Sequence, residues 1–140
     1  MKKDRIVLFL LAAAFATLAV ELKYFHAGIW QQKPVAWIPV VTTVLAFLAC
    51  LVGMAADKKL SKFLGWVLVV CSLSGLGGVY FHTEGDFKKV EKVISSNYRQ
   101  DFAEKMMKED LTPDRPLLAP LSLTGLCVLG AVVLLGRKGS

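Results

Sequence analysis

Apolar residues fall into four long runs separated by polar stretches. The first extends from about Ile6 to His26, the second from about Trp37 to Ala55, the third from about Phe63 to His82 and the fourth from about Leu117 to Gly136. Each is close to the ~20 residues that carry a helix across a bilayer. Hydrocarbon offers no water to backbone N–H and C=O groups, so spans of this kind are predicted to be helices bonded within themselves. Pro39 and Pro120 fall in the expected first turns of the second and fourth spans, where a missing N–H is tolerated.

The polar stretch 83–115 also carries a pattern. Phe87, Val90, Ile94, Tyr98, Phe102 and Met106 recur at spacings of three and four, with Lys and Glu on the remaining faces. That spacing predicts an amphipathic helix. Thr83 is placed to cap its start, with Asp86 in its first turn and Pro113 beyond its end. Such a helix is expected to lie on the outer membrane surface, or to cap the bundle or a partner subunit.

A longer pattern is superimposed on the runs. Tyr24-Phe25-His26 closes the first span and Tyr80-Phe81-His82 closes the third. After each comes a polar outer loop and then a cation-proline pair leading into the next helix: Lys33-Pro34 with Pro39, and Arg115-Pro116 with Pro120. Both copies run in the same direction, as in a parallel repeat about an axis along the membrane normal. The short connections 27–36 and 56–62 favour antiparallel neighbours. The expected fold is all-α: an up-down-up-down four-helix bundle of two repeated hairpins, forming a single domain over 1–140. Ala12 with Ala16, Ala49 with Gly53, Cys71 with Gly75 and Ser74 with Gly78 are small residues at i, i+4 spacing that allow close helix approach in lipid.

Composition turns this pattern into a class. The chain is 55% hydrophobic and 20% charged over 140 residues, with a mean hydropathy of +0.54. Small soluble domains bury only ~60–70% of the surface their unfolded chains expose, too little to hide so much apolar surface. A soluble globular enzyme, a disordered tail and a disulfide-stapled secreted mini-protein are excluded on that ground. Cys50, Cys71 and Cys127 sit inside apolar runs without a CxxC pair and read as small buried hydrophobes, not a redox set.

The net charge of +6 is distributed by side. Residues 2–5, the loop 57–62 and Arg137-Lys138 each net +2 and share one face of a four-span protein. Opposite them, Glu21, Lys23 and Lys33 net +1, while 83–115 carries seven cations and eight anions. Under the positive-inside rule the basic face is cytoplasmic, which predicts a multi-pass plasma (inner) membrane protein with both termini in the cytoplasm. The basic charge is thus a topology signal, and no nucleic-acid partner is expected. Lys2, Lys3 and Arg5, the apolar run and Ala14-Phe15-Ala16 resemble a secretory signal peptide. Because the repeat requires this first helix, it is expected to be retained.

Candidate chemistry is sparse. Apart from Glu21, Lys23, His26 and His82 at their edges, the spans hold no charged residue or histidine. That disfavours an ion-coupled transporter, although an oligomeric transporter or channel is a further alternative. No GxSxG, HExxH or P-loop is present, so no catalytic residue is assigned. His26 and His82 occupy matching positions on helices expected to be diagonal neighbours. Two imidazoles facing each other across a bundle ligate a haem iron, a geometry that resembles membrane b-type cytochromes in two residues and a helix count. A transition metal held by His26, His82, Glu84, Asp86 and Glu21 is a second possibility, although Glu21 points about 140° away from His26 on an ideal helix. The same triplets also fit an ordinary interfacial belt, in which Tyr24, Trp30, Trp37, Trp66 and Tyr80 sit at headgroup level. The expectation is a non-catalytic accessory subunit, embedded in lipid and packed against other membrane subunits or further copies of itself. Haem b or a metal at His26 and His82 is the alternative.

Overall fold

The computed structural model describes residues 3–25, 34–83 and 118–137, and every regular element among them is helical. α1 is Lys3–Phe25, α2 is Trp37–Gly53, preceded by a 3-10 turn at Pro34–Ala36, α3 is Lys58–Thr83 and α4 is Leu118–Leu135. Three helices are long and apolar enough to cross a membrane, over Lys3–Tyr24, Pro34–Gly53 and Lys58–Phe81; Pro120–Leu135 is a shorter apolar helix. The loop helix expected over Phe87–Met106 lies outside the described residues.

The starts of α2 and α3 have local causes. Asp57 starts α3: its carbonyl accepts the Ser61 N–H at 2.8 Å and its Oδ1 accepts the Leu60 N–H at 2.8 Å. This is an N-cap reaching the third helical residue. α3 therefore begins five residues before the apolar run that predicted it, and α1 begins three residues early, at Lys3. A helix is held by backbone bonds and caps, while hydropathy marks only the part in hydrocarbon. α2 has no side-chain cap. Pro39 in its first turn removes one of the donors a cap would otherwise serve.

The packing fixes the directions. At the start of α1, Leu8 Cδ1 lies 3.6 Å from where a Cβ on Gly53 would stand, at the end of α2. Leu134, near the end of α4, approaches the same point. Gly65 of α3 faces Leu135, whereas Gly78, thirteen residues later, faces Pro120. The chain thus alternates in direction from helix to helix. The starts of α1 and α3 share one end with the finishes of α2 and α4.

α1 supplies bulk to the core through Leu8, Leu11 and Phe15, and α2 answers with Ala46, Ala49 and Cys50. Gly53, Gly65, Gly75 and Gly130 are all buried at helix contacts. Of the expected small-residue pairs, Ala49 with Gly53 and Cys71 with Gly75 are buried, and Gly78 meets Pro120. Ala16 is exposed, because it lies just past the edge of the inward stripe through Leu8, Leu11, Phe15 and Leu18. Facing outward are Phe9, Leu10, Val44, Leu48, Val70, Leu73, Val132 and many other large apolar side chains. Water-soluble chains rarely expose apolar surface on this scale.

Candidate functional site

Polar contacts in the described residues concentrate at two levels. Within the core, each hydroxyl is occupied by its own helix: Thr42 donates to the Ile38 carbonyl at 2.7 Å, Thr43 to Pro39 at 2.6 Å and Ser72 to Val69 at 2.6 Å. Bonds to a carbonyl three or four residues back let a hydroxyl sit in an apolar interior. Thr124 is different: its Oγ1 lies 3.2 Å from both the Pro120 and the Ser72 carbonyl oxygens, the latter across the α3–α4 contact. Gly75 makes this possible, since a Cβ there would overlap Thr124 Oγ1 and stand 2.6 Å from the Pro120 carbonyl oxygen.

The second level is the basic end. Arg137, just past α4, donates from Nη1 to the Gly53 carbonyl at 2.6 Å and to Ser61 Oγ at 3.3 Å, while its Nε lies 3.8 Å from Asp4 Oδ2. One guanidinium thereby joins the start of α1, the finish of α2, the start of α3 and the finish of α4. A planar fork with several fixed donors suits this role. It also serves a carbonyl that α2 leaves without an intrahelical partner. The sequence reading assigned Arg137 only to the topological charge excess. The bond spans 84 positions to Gly53 and 76 to Ser61, and no local spacing announces it.

The opposite end carries the sequence-predicted site. Because α1 and α3 run in the same direction, Tyr24-Phe25 and Tyr80-Phe81-His82 finish at one end. Tyr24 is 76% exposed; Tyr80 and Phe81 are exposed and stack edge to face with centroids 6.0 Å apart. Glu21 is exposed. Trp37 opens α2 at this end, and Trp66 lies one turn inside Lys62 near the basic end, both exposed. His82 belongs to the last turn of α3. His26, Trp30, Glu84, Asp86 and the side chain of His82 lie outside the described residues, as do the six apolar positions of the loop helix. Among the described residues no three His, Cys, Asp or Glu side chains come together as a metal site, and Cys50, Cys71 and Cys127 are buried free thiols.

No protein-family model matches the chain, and neither does any curated protein or solved structure.

Proposed function

We propose that this chain is a four-span bundle in the plasma (inner) membrane, both termini cytoplasmic, acting as a non-catalytic accessory subunit of a larger membrane complex. The observation that carries the membrane part is the apolar outer surface: large apolar side chains face outward on all four helices as well as inward, and glycines stand where the helices approach most closely. Without a hydrophobic drive between helices in lipid, close approach of small residues and interhelical hydrogen bonds hold a bundle together. The shared end of Lys3, Arg5, Lys58, Lys59, Lys62 and Arg137 supports the cytoplasmic assignment. The accessory role is supported by the span interior: among the described residues the buried hydroxyls Thr42, Thr43 and Ser72 are bonded to their own backbone and form no ion path.

Purification from native membranes in mild detergent tests it. A colourless protein that co-elutes with stoichiometric partner subunits is the expected outcome, and a monodisperse, partner-free protein overturns it. A second reading, haem b or a transition metal at His26 and His82, draws on the parallel course of α1 and α3, whose last residues Phe25 and Thr83 finish at one end. A Soret band lost in His26→Ala and in His82→Ala would establish haem, and stoichiometric metal lost in the same variants would establish a metal; a wild-type protein with neither removes this reading.

A further inference from the structure

Lys59, Lys62, Phe63, Trp66, Val70 and Leu73 form one continuous exposed strip along α3. At 100° per residue these six positions fall within an arc of about 100°, so they face the same way. Polarity changes once along the strip, from two ammonium groups to two aromatic rings and then to aliphatic side chains. Phe63 to Leu73 spans roughly 15 Å at 1.5 Å per residue, which is half of the ~30 Å hydrocarbon thickness of a bilayer.

The lysines are oddly placed for the protein's own needs. Lys59 stands in the first turn of α3 and Lys62 at the start of the second, near the end where the helix dipole is positive and a cation is disfavoured. The neighbouring carboxylate, Asp57, uses Oδ1 to cap Leu60, and no described side chain forms an ion pair with Lys59 or Lys62. Arg137, by contrast, is matched inside the protein by a helix-end carbonyl and Asp4. Among the described residues, the start of α3 thus has no carboxylate beside it other than the Asp57 cap.

We infer that this strip binds a single anionic phospholipid of the cytoplasmic leaflet, its phosphate held by Lys59 and Lys62 at the α3 amino terminus and one acyl chain lying along Phe63, Trp66, Val70 and Leu73. The inference rests on the membrane reading above and adds a ligand to it. Strip length and the single change of polarity favour a lipid over a free anion, because a free anion has no use for Trp66, 62% exposed, or Phe63, 63% exposed.

Trp66 itself provides the readout. In a Trp30→Phe, Trp37→Phe background, the full chain is placed in nanodiscs, which makes its orientation immaterial, and phospholipids with brominated acyl chains quench the remaining indole. Brominated phosphatidylglycerol is expected to quench at a lower mole fraction than brominated phosphatidylcholine. The apparent affinity for the anionic lipid should fall roughly fivefold per lysine in Lys59→Gln/Lys62→Gln, at about 1 kcal/mol per cation. Phosphatidylcholine quenching, which reports folding, should stay unchanged in that variant. Lys59→Arg/Lys62→Arg and Lys23→Gln should keep the preference. Equal quenching by the two lipids in the wild type, or an undiminished preference in the glutamine variant, overturns the inference. Full competition by millimolar inorganic phosphate overturns the lipid assignment in favour of a free anion. Failure of either brominated lipid to quench Trp66 overturns the membrane reading itself.

Discussion

Arg137 and Asp4 form an ion pair at 3.8 Å, but the same guanidinium makes its shortest bond, 2.6 Å, to the Gly53 carbonyl. These contacts are unequal in worth. Asp4 is half exposed, and such pairs contribute below about 1 kcal/mol. A charge-assisted bond to a largely buried carbonyl contributes about 1.5–3 kcal/mol. Arg137→Gln is thus expected to lower bundle stability by about 2 kcal/mol, and Asp4→Asn by a fraction of that, in thermal unfolding of the detergent-solubilised protein. Asp57→Ala is expected to cost about 1 kcal/mol through loss of the cap and to fray the first turn of α3, read by hydrogen exchange at Leu60 and Ser61. Neither residue's role was legible in the sequence pattern. Asp57 sits among lysines that look like a polar loop, and Arg137 finds partners that only the folded chain brings near.

At the level of the helix, hydropathy located α1, α2, α3 and α4 but not where α1 and α3 begin, because both continue as hydrogen-bonded helix beyond their apolar runs. Small residues were recognisable as packing positions, yet their individual importance depends on the facing helix. Gly75 lies against the backbone carbonyl of Pro120, which cannot rotate aside, while nothing stands within 4 Å of a Cβ placed on Gly125. Gly75→Ala is therefore expected to cost about 1–3 kcal/mol by forcing α3 from α4. Gly125→Ala should be neutral or stabilising by up to about 1 kcal/mol, since alanine is the better helix former. Measured in the same detergent, the melting temperature should fall for Gly75→Ala and stay level or rise for Gly125→Ala; an unchanged or raised value for Gly75→Ala would mean that the α3–α4 contact is not as close as described.

For the whole molecule, the decisive property is which solvent its outer surface meets, and one substitution asks that directly. Leu45 is exposed midway along α2. In water, Leu45→Lys would change stability by no more than about 0.5 kcal/mol. In hydrocarbon, a lysine near a helix centre costs about 2.5–3.5 kcal/mol, so the variant should accumulate poorly in membranes and resist reconstitution. The all-helical class and the long apolar helices were readable from hydropathy, because an apolar run is a local property of the chain. Lateral packing was not, because it depends on which glycine meets which leucine across helices far apart in the chain. The arginine that joins the four helix ends has a temporal consequence as well. Asp4, Gly53 and Ser61 all precede Arg137 in the chain, so during synthesis there is a stage in which the first three helices are made and their common end is still unfastened. During that interval the Gly53 carbonyl is open to any other donor, including one carried by a neighbouring protein.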